Sequence, residues 1–289
     1  MSLRLAIAVS AFALLGACAT APVDVTPVER GSNLITPEKA ETLLARGYYD
    51  QAAAAYRKSL ESDATNVSAR HGLAEAERLG GKLDAAAEDY RKLMEIPEWK
   101  LRAVEGLARI DFAKGDRAAA MEKFSAVVKE DQWAWKSWLA IAQLSDLSGD
   151  WTKADEAYGM ALAATKEPAA VYNNHGVSLL ARGHAGAAAD LFRKALAADP
   201  KIIQAKTNFD LAEARAGKKA TLEAAGNDAR ERARTLNNYG YVAMLQGRPE
   251  DAKRYYEAAL KEHPSFYALA YNNLMATQGA SEKADKSRR

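Results

Sequence analysis

Small and large apolar residues recur along this chain at helical spacing, and each such block is followed by another of the same layout. In the stretch from residue 135, Trp138, Ile141 and Ala142 share one helical face; after Gly149, Ala154 and Tyr158 share the face of a second helix. The pair then repeats. Glycines stand at positions 47, 81, 115, 149, 183 and 217, a constant 34 residues apart, and Gly247 follows after 30. When each glycine is set at position 15 of its unit, position 20 is Ala52, Ala86, Ala120, Ala154, Ala188 and Ala252. Position 24 is Tyr56, Tyr90, Phe124, Tyr158, Phe192 and Tyr256. A sustained period of this length predicts a helical solenoid, because one helix pair cannot bury its own apolar face and must stack on the next.

In this register the units run 33–66, 67–100, 101–134, 135–168, 169–202, 203–232 and 233–266. Each column has a physical reason: glycine ends helix A in a left-handed cap, alanine lets helices A and B approach, the aromatic fills the gap between repeats, and proline stops helix B. The columns are fullest at 169–202, with Tyr172, Gly176, Gly183, Ala188, Phe192, Ala195 and Pro200, and at 233–266, with Gly240, Gly247, Ala252, Tyr256, Ala259 and Pro264. This pattern resembles the tetratricopeptide repeat over residues 33–266. The resemblance implies an all-α fold, a right-handed superhelical solenoid of helix-turn-helix repeats whose helices A line a concave groove for protein or peptide partners.

The irregularities are as informative. Thr36-Pro37 reads as an N-cap followed by proline at the first helical position, where the solenoid starts. The unit 203–232 is four residues short, with Leu222 in the alanine column and Gly226 in the aromatic column. It is expected to hold a shortened helix near 219–225, a break at Gly226-Asn227 and a long helix A from about Asp228 to Leu245. A bend between two subarrays and simple drift both account for it. Residues 267–278 repeat the helix A pattern without a helix B, with Leu274 where glycine or alanine belongs, and read as a cap; the polar residues 279–289 are expected to be disordered.

Ahead of the repeats, one positive charge at Arg4 precedes the apolar run Leu5 to Leu15, which ends in Leu15-Gly16-Ala17-Cys18. The run is too short to span a membrane and has the layout of an export signal over residues 1–17. LGAC resembles the bacterial lipobox. That resemblance implies cleavage before Cys18, acylation of its thiol and amine by palmitate-type chains, and a lipoprotein held at the periplasmic side of the outer membrane. An ordinary secretory signal or an anchor helix is the alternative. Residues 18–32, with Pro22 and Pro27, would then form an extended tether. Fully stretched, its 14 residues after the cysteine reach about 45–50 Å.

Composition narrows the function. The net charge is +2 and evenly mixed, so no nucleic-acid partner is expected. Cys18 is the only cysteine and the four histidines occupy unrelated repeat positions, which gives no catalytic nucleophile, no metal site and no cofactor beyond the covalent lipid. The chain therefore reads as non-enzymatic. On helix A, positions 2, 5, 6, 9 and 13 lie opposite the core. Position 6 carries Asn174, Asn208, Asn238 and Asn272, flanked by Asn173, Asn237, Tyr241 and Tyr271, with Val177, Leu211 and Met275 beside them. A carboxamide both donates and accepts, so this row suits pairing with a bound peptide backbone; bonding to neighbouring helices or water is the equal alternative. In the first four units the same stripe holds Glu75, Arg102, Glu105, Arg109, Lys136 and Gln143, a solvated face. The five tryptophans read chiefly as core, although Trp99 and Trp133 share a turn position that would suit an exposed aromatic patch.

Taken whole, lipobox, tether and repeats resemble the TadD-type lipoproteins of tight-adherence (Tad or Flp) pilus systems. That resemblance implies a periplasmic assembly factor whose partner is a secretin or a pilus component. A scaffold for outer-membrane protein assembly, envelope proteolysis or cell-wall enzymes is the alternative within the same class, and an enzyme with a groove site is a remote one. Replacing Cys18 with alanine should move the protein from the membrane to the soluble periplasmic fraction on fractionation; unchanged membrane association rules out the lipid anchor.

Overall fold

A computed structural model describes residues 37–218, 228–265 and 267–287, which fall into two compact units, 37–165 and 166–287. The described residues form fourteen helices and no strand. The expectations placed on residues 1–36, including Cys18 and the tether, and on 219–227 lie outside the described residues.

The first unit contains α1 (Pro37–Ala45), α2 (Tyr49–Ser62), α3 (Val67–Leu79), α4 (Leu83–Met94), α5 (Pro97–Lys114), α6 (Arg117–Glu130), α7 (Trp135–Ser148) and α8 (Trp151–Ala164). The second contains α9 (Ala169–Ala181), α10 (Ala185–Ala198), α11 (Ile203–Arg215), α12 (Ala229–Leu245), α13 (Pro249–Glu262) and α14 (Ala268–Ser287). In the first, helices A and B alternate; in the second, two helices A, α11 and α12, follow one another among the described residues; within each unit every helix packs on its neighbour in sequence. This is the nearest-neighbour architecture of a solenoid.

All seven ladder glycines have positive φ, between 70° and 89°. The amide after each one donates to the carbonyl five residues back, as His184 does to Leu179 at 2.9 Å, so the turn satisfies groups that the end of helix A would leave bare. A side chain in this backbone region costs roughly 1–2 kcal/mol, which is why the column is glycine. The alanines at position 20 are fully buried and the six aromatic rings at position 24 are at most 4% exposed.

The glycine that makes room for a ring stands at a different position in the two units. A Cβ built on Gly72 or Gly106 would fall under 3.0 Å from the ring of Tyr56 or Tyr90, so in the first unit the ring sits against position 6 of the following helix A. In the second, Cβ atoms on Gly176 and Gly240 would meet Phe192 at 2.6 Å and Tyr256 at 2.5 Å. There the ring sits against position 8 of its own helix A.

Three boundaries depart from the repeat register. Helix α5 begins at Pro97, four residues before its unit, because proline is favoured in a first turn. Trp99 is therefore helical and not at a turn. Helix α12 starts at Ala229, with the Asp228 carboxylate accepting from the amides of Arg230 (2.9 Å) and Glu231 (3.4 Å). Helix α14 runs to Ser287, through the stretch expected to be a disordered tail. Its last residues are polar but include Ala280, Glu282, Lys283, Ala284 and Lys286, all strong helix formers, so polarity alone misjudged them.

Gly176→Ala should cost about 1–3 kcal/mol by forcing the Phe192 ring aside. Gly159, mid-helix in α8, has nothing within 4 Å of an added Cβ, and Gly159→Ala should gain about 0.5–1 kcal/mol. Melting curves followed by circular dichroism would show opposite shifts; equal shifts would contradict the ring contact.

Candidate functional site

The asparagines of the second unit stand on α9, α11, α12 and α14, and the structure sorts them by burial. Asn208, Asn237 and Asn238 are buried, Asn173 and Asn174 are half-buried, and Asn272 is exposed. The buried carboxamides bridge helices. Asn208 donates to the Asn173 carboxamide oxygen at 3.0 Å, Asn173 donates to Asn174 at 3.4 Å, and Asn273 donates to Asn237 at 2.9 Å. Asn238 donates to Asp210 at 3.4 Å. The row drawn from the sequence as one ladder is thus two interhelical clusters, and Asn208, Asn237 and Asn238 hold helices together instead of facing a ligand. A buried carboxamide left unpaired costs about 1–3 kcal/mol, so pairing between helices is the expected outcome for amides this deep. Asn273 was missed, although the doublet Asn272-Asn273 echoes Asn173-Asn174 and Asn237-Asn238 one position out of register.

The short repeat has a polar joint of its own. Elsewhere a position-24 ring lies against position 6 of the next helix A or position 8 of its own; here the ring column holds Gly226, and the two corresponding positions are Asp210 and Asn238. They meet directly. The buried Asp210 carboxylate also accepts from the Thr235 hydroxyl at 2.9 Å and lies 4.0 Å from the Arg234 guanidinium. Burial raises its pKa; the bond from Thr235, the charge of Arg234 and the bond from Asn238 oppose the rise without cancelling it. Thr235 and Asp210 gave no signal in the sequence because the joint depends on a missing ring.

The residues left facing outward are largely apolar. Tyr241 and Tyr271 are each 42% exposed and Met275 39%. Val177 and Leu211 are half-buried. In the corresponding stripe of the first unit the carboxylates of Glu75 and Glu105 are paired. Glu75 accepts from Arg78 at 2.7 Å and from the Tyr90 hydroxyl; burial pushes its pKa up, but these bonds outweigh it and bring the carboxyl down to about 2. Glu105 pairs with Arg109. His71, pressed between Tyr90 and Trp99, is held below the usual histidine range by burial. Trp99 packs into the core under Arg102, whereas Trp133 is 63% exposed, so the two share a column and not a patch.

A cleft of about 600 Å³ opens beside Leu236, Tyr239 and Tyr255, where Asp251 pairs with both Arg248 and Arg254. Among the described residues no group of histidine, cysteine and carboxylate side chains could hold a metal, and no described helix is long and apolar enough to cross a membrane.

Family profiles for the tetratricopeptide repeat match residues 38–96, 148–201 and 233–266, together just over half of the chain. A tetratricopeptide repeat protein from Parabacteroides merdae is 15% identical over 83% of this chain and 96% of that one, with a TM-score of 0.50. The Cut9–Hcn1 hetero-tetramer of the APC/C gives 14% identity over 96% of this chain and 53% of that one, with a TM-score of 0.59. A thermophilic tetratricopeptide repeat protein from Thermus thermophilus gives 20% identity over 61% and 96%, with a TM-score of 0.55. At these identities the likeness is one of fold. No curated protein matches the chain.

A folded-state pKa above the unfolded one means that the native carboxyl binds protons more readily, so Asp210 favours the fold at low pH and that contribution is lost as pH rises through its folded value. Asp210→Asn should therefore raise the melting temperature at pH 7, a gain that vanishes once pH falls below the ordinary aspartate range. A lower melting temperature at pH 7 would show that the paired carboxylate stabilises the joint.

Proposed function

We propose, from the chain's membership of the tetratricopeptide repeat family, that it is a non-catalytic periplasmic adaptor, lipid-anchored through Cys18, which holds a protein partner on its second compact unit during Tad pilus or secretin assembly. The observation that carries the binding reading is the outward face of α12 and α14, where Tyr241, Tyr271 and Met275 remain 39–42% exposed. Exposed aromatic and methionine side chains grouped on one face mark interaction surfaces, and aromatics supply much of the binding energy at such sites. The anchor and the pathway rest on sequence: LGAC before a proline-bearing tether, followed by repeats, is the layout of TadD-type lipoproteins. A tether of this reach lets the repeats meet a partner away from the membrane surface.

Photo-crosslinking residues placed at Tyr241 and Tyr271 in cells should capture a secretin or pilus-assembly protein, identified by mass spectrometry, and the Cys18→Ala form should lose that adduct. Adducts only to outer-membrane assembly or cell-wall proteins would move the chain to another pathway. No adduct at either position would remove this face as the binding site.

A further inference from the structure

Position 9 of helix A changes character between the two compact units. In the first it is Glu41, Glu75, Arg109 and Gln143; in the second it is Val177, Leu211, Tyr241 and Met275. The four apolar residues stand on α9, α11, α12 and α14, and the first two are half-buried while the last two are 42% and 39% exposed. Neighbouring helix axes lie about 8–10 Å apart in packed helices, so the row offers an apolar contact at that interval.

The charges beside the row have one sign. Asp210 and Glu213 on α11 are buried, and Glu231 at the start of α12 is taken by Lys206 at 2.7 Å and Arg234 at 2.6 Å. Helices α9 and α14, over the residues whose side chains are described, carry no carboxylate. Arg215, one turn beyond Leu211 on the same face, is half-exposed and has no carboxylate partner among the described residues. An apolar row with a cation at its margin and no exposed carboxylate beside it complements an apolar stripe bordered by acids.

The shape of the occupant follows from the asparagines. An extended peptide needs partners for its backbone, and Asn208, Asn237 and Asn238 already spend their carboxamides between helices. A helix satisfies its own backbone and presents side chains at i, i+3, i+4 and i+7, with one heptad advancing about 10.5 Å. That advance is close to the spacing of the row. We infer that the position-9 row of the second unit binds an acidic amphipathic helix of a partner protein, apolar stripe on the row and carboxylates toward Arg215. This rests on the adaptor reading of the same face and specifies what it accepts.

Three synthetic 18-residue helical peptides serve as probes: a leucine-striped peptide with a glutamate polar face, the same peptide with lysine for glutamate, and the glutamate peptide with serine for leucine. Anisotropy titrations against the soluble chain from residue 19 onward should show the first binding about tenfold more tightly than either of the others. Tyr241→Ser with Met275→Ser should weaken it about tenfold, while Gln143→Ala leaves it unchanged. Arg215→Glu should reverse the preference between the glutamate and lysine peptides, a reversal that general damage to the fold would not produce. Equal binding of all three peptides, preference for lysine in the unaltered chain, no charge reversal, or no binding would each overturn the inference. If crosslinks at Tyr241 and Tyr271 still capture a partner through a segment of other chemistry, this inference falls and the adaptor stands; if no crosslink forms, both fall.

Discussion

Four of the six buried aromatic rings on helices B are accommodated in a gap that a glycine opens in a helix A. In the first unit the gap is at position 6, where Gly72 and Gly106 lie under Tyr56 and Tyr90; in the second it is at position 8, where Gly176 and Gly240 lie under Phe192 and Tyr256. Both choices bury the ring, so the core is equivalent. The surface is not. A glycine spent at position 8 frees position 6, and the helices that follow those two rings carry Asn208 and Asn272 there.

Those side chains contribute more to geometry than to net stability. A satisfied hydrogen bond returns about 0.5–1.5 kcal/mol, while a buried carboxamide that loses its partner costs about 1–3 kcal/mol. The asymmetry penalises any sliding of α9 against α11 or of α12 against α14, because sliding would strand Asn208 or Asn237. At the short repeat the same logic operates with a charge. Asp210 is accepted in the interior by Thr235, Asn238 and Arg234, yet its raised pKa says that these partners do not fully replace water. A buried ionic joint of this kind fixes an arrangement and adds little to its stability.

The repeat was legible because its causes are local. A left-handed cap demands glycine at Gly183 whatever surrounds it, and a ring at Phe192 is signalled by its own column. The long helix α12 was legible for the same reason, with Asp228 as its cap. The fate of the asparagines was not, since it depends on partners on other helices, 28 to 36 residues away in sequence. The row left their role open, and Asn273 escaped because its bond to Asn237 crosses 36 residues out of register. Trp99 was misplaced by a single proline, and the last turns of α14 by reading polarity as disorder.

Rigid spacing also bears on recognition. Ordering loose side chains and elements at an interface consumes part of the gross binding energy, and a face whose framework is already fixed loses less of it. In the second unit the framework is the buried and half-buried asparagine clusters and the buried Asp210 joint, while Tyr241, Tyr271 and Met275 are exposed on the same helices. The residues that set the spacing are therefore distinct from those that would touch a partner. Contact residues can change without stranding a buried polar group, whereas altering Asn208, Asn237 or Asp210 would disturb the face without removing any atom from it. On α12 the separation follows from the helical repeat: Asn237 and Asn238, at positions 5 and 6, turn far enough toward the neighbouring helices to be buried, and Tyr241 at position 9, one turn on, stays outside.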